Sequence, residues 1–269
     1  MFSSRVKAKL AQNKPVLVTA ICLSDPSLFE LASLMGFDAL WLDLEHHAHS
    51  VEAANNYIRA ARVGVSDVIA RPAKGEFMRL SRLLEAGARG IMYPRCDNAA
   101  EAVEVVRWSK FAPLGERGFD GANPDQPYCS MSMGDYIAAA NRETFVVVQI
   151  EQASALENVE EIAKVPGVDV VMLGPADFTV LSGIAGQFDS EVVLNAKRRI
   201  AAAASDAGIH WGTTCATPRH IEQNMELGAR FICHGADILM VKRGLEQIRN
   251  DCKSLGFTFE GPAESRVII

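Results

Sequence analysis

The strongest constraint on the fold is an alternation, repeated eight times, of short apolar runs with amphipathic segments of helical period. Apolar runs without a polar face predict strands that are buried on both sides, as in a parallel sheet. The predicted strands are Val16–Cys22, Ala39–Glu45, Asp67–Arg71, Gly90–Arg95, Phe145–Glu151, Val168–Gly174, His210–Cys215 and Arg230–Gly235. The predicted helices are Pro26–Met35, Val51–Val63, Glu76–Ala86, Ala99–Lys110, Ser154–Lys164, Glu191–Ala207, Pro218–Leu227 and Asp237–Leu255.

Eight such units in a chain of 269 residues predict one α/β domain over residues 1–269, a (β/α)8 TIM barrel. A barrel of this kind takes ~250 residues. Residues Ser4–Ala11 predict a short N-terminal helix that covers the barrel floor. The stretch Phe111–Asn141 is rich in Gly, Pro, Ser and Met and has no strand pattern. We expect it to form a loop over the barrel mouth.

The composition argues against several function classes. A net charge of −6 argues against nucleic acid as a partner, because phosphate binding needs a basic stripe and none is visible. No run reaches the ~20 apolar residues of a membrane span. The run Val16–Leu23 is followed by the turn signal Ser24–Pro26, so it predicts a strand rather than a signal peptide. Six cysteines without zinc-like spacing indicate reduced thiols and a cytoplasmic protein.

Charged or ionisable residues stand at the ends of five predicted strands, and in a barrel these ends converge on the face where active sites are built. Buried charge near a core is costly unless it is paired or bound to a metal. The residues are Asp43, Glu45 and His46 after the second strand, Arg71, Arg95, Glu151 and Asp177.

Glu151 and Asp177 end adjacent strands, so their carboxylates can approach one small volume. Two carboxylates and water suit a hard divalent cation such as Mg²⁺ or Mn²⁺, with positions left for substrate oxygens. The alternative is that each residue caps the helix that follows it.

Arg71 follows an otherwise apolar strand and therefore needs an anionic partner. That partner is either Asp43 or Glu45 in a structural ion pair, or an enolate oxygen that Arg71 stabilises as it forms. His46, with Asp43 to fix its tautomer, is suited to moving protons at neutral pH. A zinc site at His46 and His49 is disfavoured, because side chains at a strand end need not share a face.

The turn Gly174-Pro175-Ala176-Asp177 opens a connection at the same face, and its backbone N–H groups can hold a carboxylate. No predicted strand carries a lysine at its C-terminal end, and Lys74 lies in a loop beyond Pro72. A Schiff-base mechanism needs such a lysine. The pattern therefore favours metal chemistry over imine chemistry.

Six motifs, spread in order from about Pro15 to Leu255, resemble the HpcH/HpaI class II pyruvate aldolases, also called 4-hydroxy-2-oxoacid aldolases. They are Gly36-Phe37-Asp38 with Asp43-x-Glu45-His46, Ala70-Arg71-Pro72, Leu83-Leu84-Glu85-Ala86-Gly87, Gly115-Glu116-Arg117-Gly118, Val148-Gln149-Ile150-Glu151 and Gly174-Pro175-Ala176-Asp177.

The resemblance implies a carbon–carbon lyase that cleaves a 4-hydroxy-2-oxoacid to pyruvate or hydroxypyruvate and an aldehyde through an enolate. It implies that Glu151 and Asp177 bind Mg²⁺, Mn²⁺ or Co²⁺, that Arg71 and Gln149 contact the donor, and that the backbone of Ala176 and Asp177 holds the donor carboxylate. It further implies a homohexamer, a trimer of dimers, in which the C-terminal helix is exchanged between partners.

Two positions depart from the family pattern. Glu85 stands where the family often has an aspartate that a neighbouring subunit contributes to proton relay, and Leu44 stands where glycine is common. Residues Phe119–Met133 diverge most and are expected to contact the acceptor aldehyde. The alternative functions are a citramalyl- or malyl-CoA lyase, an oxaloacetate decarboxylase, or a non-catalytic metabolite-binding barrel.

Overall fold

Eight parallel strands close into a barrel in the computed structural model, which describes residues 3–259. Each strand pairs with the next along the chain, and the last pairs with the first. The strands are β1 Val16–Ile21, β2 Ala39–Asp43, β3 Asp67–Arg71, β4 Gly90–Tyr93, β5 Phe145–Ile150, β6 Val170–Leu173, β7 His210–Cys215 and β8 Phe231–Ala236. The predicted TIM barrel is confirmed. The one-domain assignment also includes residues 1–2 and 260–269, which lie outside the described residues.

Twelve helices occur within residues 3–259, and most of them surround the barrel. They are α1 Arg5–Leu10, α2 Pro26–Leu34, α3 Val51–Ala61, α4 Phe77–Glu85, α5 Ala99–Ser109, α6 Met133–Glu143, α7 Ala153–Glu157, α8 Val159–Ala163, α9 Pro175–Leu181, α10 Glu191–Asp206, α11 Pro218–Glu226 and α12 Asp237–Lys253. Capping residues set several starts: Ser50 accepts from the N–H of Ala53, and Ser190 accepts from that of Val193. The single helix predicted over 154–164 is instead two helices that meet at Asn158.

The short helix α1 closes the floor of the barrel, as the sequence predicts. Its apolar residues Val6 and Leu10 pack into the cluster that fills the barrel interior. Asp67, at the start of β3, accepts hydrogen bonds from Ser4 Oγ at 2.6 Å and from the backbone N–H of Val6 at 2.9 Å. Asp38, just before β2, pairs with Arg5 and with Lys9. Acidic residues at the N-terminal ends of the strands therefore hold the floor helix in place.

The prediction that Phe111–Asn141 covers the barrel mouth is wrong for this chain. Helix α5 runs antiparallel to the strands, so it delivers the chain to the N-terminal end of the barrel. There the Lys110 ammonium donates to the backbone oxygens of Asn141 and Thr144, and Asp125 pairs with Arg89, the residue before β4. The segment is anchored under the barrel, at the end opposite the predicted active site.

This segment also contains a helix that was not predicted from the sequence pattern, α6 over Met133–Glu143. Ser132 caps it by accepting from the backbone N–H of Asp135, and its hydroxyl also donates to the Asp135 carboxylate at 2.7 Å. Serine followed three residues later by an acidic residue is a helix-start signal, here masked by the surrounding Gly, Pro and Met.

Helix α12 begins at Asp237, whose carboxylate accepts from the backbone N–H groups of Cys22 and Leu23 after β1. Beyond this buried residue the helix is exposed, including Leu245 at 62% and Ile248 at 59%. Its apolar face is not covered by the rest of residues 3–259. Within the same residues no helix is long and apolar enough to cross a membrane.

Candidate active site

A cavity of about 630 Å³ opens at the C-terminal end of the barrel, between the ends of the strands and the loops that follow them. Eight of the ten predicted site residues line it, and the two that do not are Asp43 and Glu85. The lining residues among those predicted are His46, Arg71, Gln149, Glu151, Gly174, Pro175, Ala176 and Asp177. Parallel topology brings them together, because each one stands at or just past the carboxyl end of its strand.

The Arg71 guanidinium is held by two carboxylates beneath the cavity. Its Nε and Nη2 atoms donate to the two oxygens of Asp43 at 2.9 and 2.7 Å, and Nε lies 3.3 Å from Glu45 Oε2. The guanidinium also stacks over Trp41, with 4.5 Å between Cζ and the ring centroid. Burial acts to raise the pKa of Asp43, but the hydrogen bonds and charge of Arg71 outweigh it and hold that pKa below its ordinary value.

Gln149 connects Arg71 to Glu151. Its side-chain oxygen lies 3.4 Å from Arg71 Nη1, and its Nε2 donates to Glu151 Oε1 at 3.1 Å. The other oxygen of Glu151 accepts from the backbone N–H of Arg95 at 2.8 Å. Burial, to which the charges of Asp177 and Glu45 add, raises the pKa of Glu151 to about 7. A carboxylate so thoroughly removed from water is one that a bound cation would stabilise.

Gly174 leaves room for the Glu151 carboxylate. A Cβ atom at this position would lie 2.5 Å from Glu151 Cγ and 2.7 Å from Cδ. Directly after it, α9 places Asp177 in its first turn, half-buried and facing the same cavity. The absence of a side chain at Gly174 is what lets Glu151 turn towards Asp177.

The two carboxylates of the site suit a hard divalent cation, most of whose coordination positions would be filled by other ligands. Glu151 and Asp177 supply carboxylate oxygens, which such cations prefer. Among residues 3–259 no group of three or more His, Cys, Asp and Glu side chains could enclose a metal ion. A cation here would therefore take two protein ligands, with its remaining positions open to water and substrate.

The histidines of the β2–α3 loop are arranged differently from the prediction. Asp43 is engaged with Arg71, and it makes no hydrogen bond to His46 among those of the described residues. The imidazole of His47 comes within 3.9 Å of Asp43, whereas His46 is exposed and lies 3.7 Å from Glu45. The contacts therefore lend no support to the idea that Asp43 orients His46.

Glu85 lies away from the cavity of its own chain. It is the last residue of α4, and that helix ends at the N-terminal side of the barrel. Burial raises its pKa, with Arg117 acting in the opposite direction and Asp120 in the same one. A role for Glu85 in proton relay therefore requires a second subunit.

Some residues of the site carry no signal in the sequence. The backbone of Arg95 has a φ of +45° that directs its N–H to Glu151, and a backbone donor of this kind leaves no mark on the residue type. Trp41 sits within a strand that looks like ordinary core. Lys197 and His220 line the cavity from α10 and α11, where a polar residue usually indicates a solvated helix face.

A TIM barrel with paired carboxylates and a fixed guanidinium at its C-terminal face is the framework of an enzyme that handles an anionic substrate. Comparison with known proteins defines the group. Residues 20–243 match the model of the HpcH/HpaI aldolase/citrate lyase family, and the chain belongs to that family.

Among its relatives, the hydroxypyruvate/pyruvate aldolase of Paraburkholderia phytofirmans is 31% identical over 94% of this chain and 99% of its own. The 4-hydroxy-2-oxo-heptane-1,7-dioate aldolase of Shigella sonnei is 31% identical over 90% of this chain and 92% of its own. The crystal structure of an HpcH/HpaI aldolase from Desulfitobacterium hafniense has a TM-score of 0.87 at 28% identity, covering 95% of this chain and 98% of that one. The predicted class of enzyme, a carbon–carbon lyase, is confirmed.

Proposed function

We propose that this enzyme is a divalent-metal-dependent class II aldolase. It would reversibly cleave a 4-hydroxy-2-oxoacid to pyruvate or hydroxypyruvate and an aldehyde. One observation carries the proposal. Arg71, whose guanidinium is hydrogen-bonded to Asp43, lines the same cavity as buried Glu151 and as Asp177. Relatives named as aldolases for such substrates add support.

Glu151 and Asp177 would hold the cation, with Mg²⁺, Mn²⁺ and Co²⁺ as candidates. When bound, the cation would polarise the keto group of the donor and so make its C3 position acidic. Gly174 and Gln149 keep the Glu151 carboxylate in place, the first by leaving space and the second by a hydrogen bond.

Arg71 would face the keto oxygen on which negative charge develops. Its Nε and Nη2 atoms are committed to Asp43, so the guanidinium cannot rotate, and Nη1 remains on the side of Gln149. A preorganised cation of this kind stabilises developing charge without reorganising during the reaction. The backbone N–H groups of Ala176 and Asp177, at the start of α9, would hold the donor carboxylate.

His46 would move the proton to and from the reacting atoms. It lines the cavity at its exposed edge, with Glu45 as its acidic neighbour. An imidazole side chain can both donate and accept a proton at neutral pH.

We further propose that the enzyme acts as a homo-oligomer, a hexamer built as a trimer of dimers, and that α12 is exchanged between subunits. The uncovered apolar residues of α12 and the distance of Glu85 from its own cavity support an assembled form. A cytoplasmic location remains a prediction, which the free state of all six cysteines fits.

The test is an aldol screen of pyruvate and hydroxypyruvate against a panel of aldehydes, with Mg²⁺, Mn²⁺ and Co²⁺ supplied in turn. We expect product formation and oxaloacetate decarboxylation that EDTA abolishes and metal restores. Borohydride trapping is the necessary control, because Lys197 lines the cavity although no strand end carries a lysine. A covalent pyruvate adduct, or full activity in EDTA, would refute the proposal.

A further inference from the structure

The active-site cavity extends to the end of β7 and to helices α10 and α11, where the proposed chemistry uses none of the lining residues. We call this part of the cavity the side lobe and define it by Lys197 of α10, Cys215 at the end of β7, and His220 and Asn224 of α11, all of which line the cavity. A cavity of about 630 Å³ falls within the ~300–1,000 Å³ range of pockets that enclose ligands larger than a three-carbon donor.

Lys197 brings an uncompensated positive charge to the side lobe. It is half-buried, and it forms no hydrogen bond or ion pair with any residue between 3 and 259. The neighbouring acid, Asp189, is 78% exposed and lies 3.7 Å from the His220 imidazole rather than against the ammonium. Burial lowers the pKa of Lys197, although Cys215 and Asp189 act in the opposite direction. An anion bound in the side lobe would offset the cost of burying the Lys197 ammonium charge.

Asn224 adds a buried acceptor that has no donor. The residue is 1% exposed, and its Nδ2 donates to the backbone oxygen of His220 at 2.6 Å and to Cys215 Sγ at 3.4 Å. These contacts fix which end of the amide is nitrogen, and they leave Oδ1 buried without a hydrogen-bond partner among the described residues. Buried polar atoms are nearly always paired in native proteins, so an unpaired one at a cavity indicates a site for a ligand or water.

We propose that the side lobe binds an anionic group, a carboxylate or a phosphate, at the far end of the acceptor aldehyde. Lys197 pairs with the anion, and Asn224 Oδ1 accepts from a water molecule or from a hydroxyl group of those acceptors that carry one. This inference rests on the proposed aldolase function, since it makes Lys197 a specificity-determining residue for the second substrate. The donor occupies the opposite end of the cavity, beside Arg71 and Glu151.

The test compares Lys197→Met with Lys14→Met, an exposed lysine at the other end of the barrel. Acceptors are taken in matched pairs: 4-oxobutanoate with butanal, and glyceraldehyde 3-phosphate with glyceraldehyde. We expect K197M to lower kcat/KM about tenfold or more for the preferred charged acceptor, through KM, because a charge-assisted hydrogen bond is lost. For the neutral acceptor of the same pair, K197M should change kcat/KM less than about twofold. K14M should change kcat/KM for neither acceptor, and Lys197→Arg should recover part of the loss.

The pair with the larger effect identifies the anion as carboxylate or phosphate. Equal changes for charged and neutral acceptors, or no change for either charged acceptor, would overturn the proposal.

Binding of succinate, which has no aldehyde and cannot react, separates the subsite from catalysis. Calorimetry in the presence of saturating pyruvate should show about tenfold weaker binding to K197M than to the wild type and to K14M. If the wild type gives no aldol product with any acceptor, the proposed function fails. The titration, carried out with inorganic phosphate as well as with succinate, still decides on the side lobe, and equal affinity of K197M and the wild type for both anions would refute it.

Discussion

Replacing Gly174 by alanine adds a single methyl group to the space that the Glu151 side chain occupies. The backbone at Gly174 has φ −92° and ψ 90°, a conformation that alanine adopts without strain. The added Cβ would nevertheless lie 2.5 Å from Glu151 Cγ, whereas ordinary contacts begin at 3.4 Å. The Glu151 side chain must therefore retreat by about 1 Å, and a displacement of that size in a catalytic group costs on the order of 10²-fold in rate.

The expected result for Gly174→Ala is a loss of about 10²-fold in kcat/KM for retro-aldol cleavage, with weaker binding of Mn²⁺ and an unchanged circular dichroism spectrum. Gly134→Ala is the matched control, because a Cβ atom at Gly134, in the first turn of α6, meets nothing within 4 Å. It should leave activity unchanged and stabilise the fold by up to ~1 kcal/mol. Activity and Mn²⁺ affinity of G174A within about threefold of the wild type would refute the reasoning.

Three further changes test other parts of the structure. Arg71→Lys keeps the charge but loses the bidentate hydrogen bond to Asp43. Steady-state kinetics should therefore show kcat lower by about 10²–10³-fold with the fold retained. A change under about fivefold would contradict the role of the fixed guanidinium. Burial raises the pKa of Asp67 to about 6, so the folded state holds this proton more tightly and stability should increase by about 3 kcal/mol as pH falls from above 6 to below 4. Denaturant titrations at a series of pH values should show this gain in the free energy of unfolding for the wild type but not for Asp67→Asn. The same pH dependence in both proteins would contradict the assignment to Asp67. Leu245→Lys with Ile248→Lys places charge on the exposed apolar face of α12 and should dissociate the proposed oligomer. Light scattering measures the mass, and an unchanged mass would argue against α12 as an interface.

The barrel and the position of its active face could be predicted from the sequence because both follow from short-range patterns. Strands buried on two sides must be apolar, so the charge of Arg71 or Glu151 at a strand end is conspicuous. Parallel topology then gathers such residues at one face without any need for detailed coordinates.

The course of Phe111–Asn141 could not be predicted in this way. Glycine and proline indicate turns but not direction, and the position of the segment depends on the end of the barrel to which α5 delivers the chain. The pairing of Asp125 with Arg89 under the barrel is a contact between residues distant in sequence.

The finer arrangement of the site was also beyond the sequence. Whether His46 or His47 approaches Asp43 is decided by the local turn after β2. Lys197 stands on an amphipathic helix, where a lysine predicts a solvated surface, and only the packing of α10 against β7 turns it towards the cavity.

The central claim is that Glu151 and Asp177 together bind one divalent cation. Titration of metal-free protein with Mn²⁺, followed by electron paramagnetic resonance, should show one site per chain in the wild type. Glu151→Gln and Asp177→Asn should each weaken binding by about 10²-fold, since each removes one of only two protein ligands. Wild-type affinity for Mn²⁺ in either variant would contradict the claim.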